Sequence, residues 1–190
     1  MARNEIPQMI TLVGPKHVGK TSVGKALARM TGATFIDLDE VIEKKAGCSP
    51  RALFEQGPEI FRAAEAEAAA LIVTEARENA PIVLASGGGI VDNPAAFDAL
   101  RGRSVLVYLE LDASRAWERI RAAAERSGSL PPFLRGDDPQ SIHRNLHERR
   151  AAAYRAAADL IVNAAEGGPA KTAAAVLEKV RAMGLAARKL

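Results

Sequence analysis

Apolar residues cluster in five short runs, at 10–13, 34–36, 82–84, 105–109 and 160–162, and the stretches between them mix apolar and charged positions at helical spacing. Short β-rich runs separated by helices predict a parallel sheet covered on both faces. The helical pattern covers 20–30, 38–46, 50–56, 58–79, 94–101, 113–125, 138–157 and 169–185. Ser49-Pro50 and Asp138-Pro139 each set a capping side chain before a proline, an arrangement that starts helices. Alanine tracts at 63–70, 122–124 and 151–158 read as helices packed closely through small side chains. The irregular stretch is 127–137, SGSLPPFLRGD, whose glycines and prolines break the surrounding helices and leave a loop of lid-like length.

At 190 residues, 48% hydrophobic and 26% charged, the chain suits one α/β domain, so 1–190 is expected to form a single unit. The net charge is +3, but the basic residues are scattered among Glu and Asp, with no Lys/Arg block and no interleaved aromatics. That pattern argues against nucleic acid and fits an anionic small molecule. The one cysteine, Cys48, permits no internal disulfide and no cysteine metal cluster. The apolar run at 9–13 is too short for a signal-peptide core and nothing approaches a membrane-spanning length, so a cytosolic protein is expected, without membrane partners and monomeric.

Chemistry enters directly after the first apolar run. Gly14-Pro15-Lys16-His17-Val18-Gly19-Lys20-Thr21 satisfies GxxxxGK[ST], preceded by a strand pattern and followed by a helical one. Glycines let the backbone bend around phosphates, and its N–H groups then point inward beside a helix N-terminus. Lys20 would reach the outer phosphates, and the Thr21 hydroxyl would face Mg²⁺. The motif specifies a nucleoside triphosphate such as ATP and leaves the acceptor open.

Four further stations follow: Phe35-Ile36-Asp37-Leu38-Asp39, then 57–65 (GPEIFRAAE), then Ser86-Gly87-Gly88-Gly89, and last Arg149-Arg150-Ala151-Ala152-Ala153-Tyr154. Asp37 and Asp39 fall at the end of a predicted strand, where open α/β sheets bind ligands, and two residues apart in extended chain they share one face. One can order Mg²⁺ and the other accept from an attacking hydroxyl; the other reading makes Asp39 a helix N-cap. Arg62 sits early in a helix, where a cation is poorly placed for the dipole; Glu65, three residues on, faces the same side and could hold the guanidinium in position, the other reading being an exposed i,i+3 pair. Gly87, Gly88 and Gly89 are costly after a core strand unless something approaches the backbone closely, a plain loop being the alternative.

In this order and at these separations, from about residue 9 to 163, the set resembles shikimate kinase. The resemblance implies an α/β chain with a three-layer αβα P-loop NTPase fold, a five-stranded parallel sheet and a mobile lid at about 127–137. It implies ATP and Mg²⁺ as cofactors and phosphorylation of shikimate, a step in aromatic amino-acid biosynthesis. Nucleotide contacts are then expected at Gly14, Lys16, His17, Val18, Gly19, Lys20, Thr21, Ser22 and Arg126. Mg²⁺ falls to Thr21 and Asp37, the substrate hydroxyl to Asp39, and substrate binding to Asp39, Arg62, Gly87, Gly88, Gly89 and Arg150.

The chain departs from the family at three places. His17 replaces a usual P-loop glycine, Pro58 a common Glu, and Pro131 the arginine that precedes Pro-Leu-Leu in the lid. Proline offers the transferring phosphoryl group no charge, so Arg135, the nearest cation in the loop, is expected to act with Lys20 and Asp39 in catalysis, the alternatives being Arg126 or Arg150. The departures keep two rivals in play: a related kinase of another small hydroxy acid or polyol, and a metabolite-binding module without turnover. His143 and His147 at i,i+4 have metal-binding spacing but no third ligand nearby, and Trp117 and Phe97 read as core.

Overall fold

The computed structural model describes residues 6–76, 80–165 and 167–187, of which 185–187 carry no described side chains. Five strands, β1 Met9–Val13, β2 Thr34–Asp37, β3 Ile82–Ala85, β4 Val105–Glu110 and β5 Leu160–Asn163, form one sheet in the order β2-β3-β1-β4-β5. Every pairing is parallel. Parallel neighbours need a crossover, and α1 Lys20–Thr31, α2 Leu38–Ala46, α3 Pro50–Gln56, α4 Pro58–Glu75, α5 Pro94–Arg101, α6 Ala113–Ser127 and α7 Pro139–Ala157 supply the connections, while α8 Gly168–Ala187 follows β5.

The strands are apolar on both faces because both are covered. Alternate residues go to opposite sides: Met9, Val13, Leu106 and Tyr108 pack with α4, α5 and α7, while Ile10, Leu12, Val107 and Leu109 pack with α1, α6 and α8. The result is the expected three-layer αβα sandwich. Ala68, Ala69, Ala96, Ala151 and Ala173 are all buried, so the alanine-rich helices do press on the core through small side chains. The 122–124 tract is only half-buried. Trp117 departs from its expected place in the core: it is half-buried and lies against His143, with ring centroids 5.5 Å apart. Phe97 is buried as expected.

Both proline-linked caps form. Ser49 accepts from the Ala52 N–H at 3.2 Å and Asp138 from the Ser141 N–H at 3.0 Å. The helix expected over 58–79 ends at Glu75, and 77–79 lie outside the described residues. Among the described residues, no helix is long and apolar enough to cross a membrane. Because β1 is central and its neighbours are reached in opposite directions, the carboxyl ends of β1, β2, β3 and β4 surround a switch point, where such sheets bind ligands.

Candidate active site

The P-loop leaves β1 and wraps the N-terminus of α1. Gly14 has φ 142°, and a Cβ there would lie 2.6 Å from the Leu109 carbonyl oxygen, so this turn excludes any side chain. Gly19, with φ 108°, ends the loop. His17 stands at φ 61°, the one positive-φ residue other than glycine among those described. The loop therefore keeps a glycine-like conformation where the family usually has glycine, and histidine bears the strain. His17 is exposed as a residue, but protein crowding its ring, then the charges of Lys16, Lys20 and Arg126, push its pKa down to about 4. Val18 is buried under α1 and β4.

Lys20 is buried, and its Nζ donates to the carbonyls of Gly14 and Pro15 at 2.9 Å each, across the concavity of the loop. Burial lowers its pKa to about 8 against the pull of Asp39 and Asp37. Anionic phosphates in the cradle would raise it again. The loop is also held from outside: Arg119 on α6 donates to the carbonyls of His17 and Val18 at 3.3 and 3.0 Å. Sequence reasoning missed Arg119, because nothing local distinguishes it from the other arginines of that helix.

Asp37 ends β2 and is itself the N-cap of α2, accepting from the Asp39 N–H at 3.1 Å. This corrects two expectations. Asp39 is not the cap, and it lies in the first helical turn, so the two carboxylates are brought together by the cap turn and not by strand alternation. The Thr21 hydroxyl donates to Asp37 Oδ2 at 2.8 Å, placing a hydroxyl and a carboxylate side by side at the helix start, with Ser22 following Thr21. Asp39 is open at its tip but crowded by protein. That crowding, then the Asp37 charge, raises its pKa despite Lys20 and Lys16.

After β3 the glycine run meets three different groups. A Cβ at Gly87 would come 3.1 Å from Glu65 Oε1; at Gly88, 2.8 Å from the Lys16 nitrogen; at Gly89, 2.8 Å from Arg150 Nη2. Close approach is what these glycines permit, as expected, and the approaching groups are the chain's own. The Gly88 carbonyl accepts from the Tyr154 hydroxyl at 3.3 Å. Arg150, largely buried, is fixed by Asp92, with Nε 2.8 Å and Nη2 2.7 Å from Oδ2. Arg149 forks onto the same carboxylate at 2.9 and 3.2 Å. Burial opposes the ionised form of Asp92, but these arginines overcome it and lower its pKa.

Arg62 is exposed on the first turns of α4, and Glu65 does not hold it. Glu65 is buried at 2% exposure and accepts from Asn93 Nδ2 at 3.0 Å, while the same amide donates to the Arg62 carbonyl at 2.8 Å. Burial pushes the Glu65 pKa up to about 7, against the Asn93 hydrogen bond. Asn93 was legible only as a residue before Pro94. It occupies the N-cap of α5 without capping it, and its amide serves α4 instead.

The 127–137 segment is docked. Pro131 and Leu134 are buried, Phe133 lies 5.6 Å from the Arg150 guanidinium, and Arg51 donates to Ser129 Oγ at 3.1 Å. Arg135, expected to act in catalysis, is 68% exposed and paired with Glu55 of α3 at 3.3 Å. Arg126, near the end of α6, is close enough for its charge to act on His17. His143 and His147 are buried with rings 5.5 Å apart, and no metal-holding group of His, Cys, Asp or Glu occurs among the described residues.

The arrangement brings together a phosphate cradle, an adjacent hydroxyl–carboxylate pair, a second carboxylate at Asp39 and the largely buried Arg150 beside the glycine run. The family model for shikimate kinase matches residues 16–181. The shikimate kinase of Halorhodospira halophila is 36% identical over 182 residues, covering 95% of this chain and 98% of that one. Among solved structures, the shikimate kinase of Acinetobacter baumannii in complex with shikimate superposes with a TM-score of 0.78 at 29% identity, covering 94% and 95% of the two chains. That of Aquifex aeolicus gives 0.71 at 27% identity, covering 93% and 98%.

Proposed function

This chain belongs to the shikimate kinase family, and from that premise we propose that it transfers the γ-phosphoryl group of ATP to the 3-hydroxyl of shikimate. The observation that carries the reading is the meeting of Lys16, Glu65 and Arg150 at three consecutive glycines beside Asp39, which joins the nucleotide cradle to an acceptor wall. The contacts of Lys20, Thr21 and Asp37 favour turnover over a binding module, and the shikimate kinase relatives favour shikimate over the rival acceptors.

In this mechanism the P-loop amides and Lys20 hold the β- and γ-phosphates, and Arg126 flanks the nucleotide beside His17. Arg62 and Arg150 orient the acceptor carboxylate, Arg150 already held by Asp92. Asp39, with its raised pKa, accepts the hydroxyl proton. Thr21 and Asp37 offer oxygen donors 2.8 Å apart, a set that fits Mg²⁺. Bound there, the ion would neutralise charge on the phosphate oxygens. The rest of catalysis is positioning.

The test is ADP release coupled to a spectrophotometric reaction, with shikimate and a panel of small hydroxy acids. Shikimate-dependent release in the wild type, abolished in a folded Lys20→Ala protein, is expected. Turnover retained in Lys20→Ala, or preference for another acceptor, refutes the reading.

A further inference from the structure

Phosphoryl transfer spreads negative charge over the oxygens of the moving group, and a site needs cations aimed at it. Most cations here are committed elsewhere. Arg150 is bound to Asp92, and Arg149 shares that carboxylate. Arg119 holds the P-loop carbonyls, and Arg135 is turned outward onto Glu55. Lys20 lies on the floor of the cradle, on the nucleotide side. Pro131, inside the docked segment, brings no charge.

Lys16 differs from all of them. Its backbone abuts Gly88, where an added Cβ would sit 2.8 Å from its nitrogen and 3.2 Å from its own Cβ. Its side chain thus leaves the loop at the seam between phosphate cradle and acceptor wall. It lines the same cavity as Phe133, Arg150 and Tyr154. The side chain is exposed, and its ammonium makes no hydrogen bond or ion pair among the described residues. Its charge acts on Asp39 and on Lys20, groups on either side of the seam. A lysine is a mobile point charge on a flexible stem, suited to following a group that moves from one side to the other.

We propose that Lys16 is a second catalytic cation, closing on a non-bridging oxygen of the transferring phosphoryl group and supplying from the P-loop the charge that the 127–137 segment does not bring. In the step it serves, the acceptor hydroxyl oxygen forms a bond to the γ-phosphorus. The bond from that phosphorus to the β–γ bridging oxygen breaks, and its electron pair stays on ADP. The hydroxyl proton passes to Asp39. Lys16 remains protonated throughout and exchanges no proton. The inference rests on the kinase reading above and deepens it.

Lys16→Met removes the charge and keeps the stem, and Lys16→Arg keeps the charge. Three quantities decide: the single-turnover rate with shikimate, the affinity for magnesium ADP, and the affinity for magnesium ADP with aluminium fluoride, which mimics the transferring group. Lys16→Met is expected to lose at least tenfold in rate and a similar factor in aluminium fluoride affinity, with ADP affinity within about twofold of wild type. Lys16→Arg should recover most of both, and Arg135→Ala should lose less than Lys16→Met. A rate near wild type in Lys16→Met overturns the proposal, as does a loss confined to ADP affinity or a larger loss in Arg135→Ala. Should Lys16→Met melt early, Lys16→Gln replaces it under the same criteria. A wild type that does not phosphorylate shikimate refutes the acceptor assignment, while aluminium fluoride affinity measured with nucleotide alone still decides the role of Lys16.

Discussion

Replacing Glu65 by Gln removes one charge from the interior while keeping an oxygen to accept from Asn93. Glu65 is 2% exposed, and its acid group has no cation in hydrogen-bonding contact among the described residues, only the Asn93 amide at 3.0 Å. Burial raises its pKa in the folded protein from an ordinary 4.5 to about 7. Between those values the folded state holds a proton that the unfolded chain has lost, so stability falls as pH rises through the window. At about 1.4 kcal/mol per pH unit, the whole window is worth about 3 kcal/mol. Below the window both states are protonated and above it both are ionised, so the slope vanishes on either side. Glu65→Gln should therefore be more stable than wild type by about 2–3 kcal/mol at pH 8 and equal to it near pH 4.5. Urea unfolding at a series of pH values, without ligands, measures this directly. A difference independent of pH would show that Glu65 is not ionising within the folded core.

Two shorter predictions concern the walls of the site. Arg62→Ala should weaken acceptor binding at least tenfold, about 1.4 kcal/mol, with ATP affinity unmoved, because the exposed guanidinium is free to meet a carboxylate; calorimetric titration of both ligands checks it, and an equal loss for both refutes it. Arg119→Ala should raise the KM for ATP about fivefold, roughly 1 kcal/mol, by releasing the His17 and Val18 carbonyls; an unchanged nucleotide KM would show that the loop holds its shape without this arginine.

What could be read along the chain, and what could not, divides by the range of the interaction. The strands were legible because both faces of the sheet are buried, which leaves unbroken apolar runs such as 105–109. The P-loop was legible because its chemistry is carried by neighbours in sequence: Gly14, Gly19, Lys20 and Thr21 each act through their own backbone or one short side chain. Asp39 was misplaced by a single residue of local chemistry, since the Asp37 side chain ends the strand by capping the helix that holds Asp39. Glu65 was read only as a partner for Arg62, because helical spacing sets the two on one face. Its true partner, Asn93, arrives from the next crossover, and no periodicity in α4 reports it.

The same division explains the lid. Its glycines and prolines correctly mark an interruption between α6 and α7, but Arg135 is claimed by Glu55, a residue of α3 that only folding brings alongside. A cation's reach along the sequence says nothing of which anion takes it first. Three elements far apart in sequence, the P-loop at Lys16, α4 at Glu65 and α7 at Arg150, converge on residues 87–89, and each contact depends on a missing side chain there. The glycine run was legible as a place of close approach. What approaches it was not, because those partners are set by the order of the strands and not by the residues beside them. These contacts form where β3 lies beside β1, and Gly88 after β3 abuts Lys16 of the P-loop after β1 across that seam.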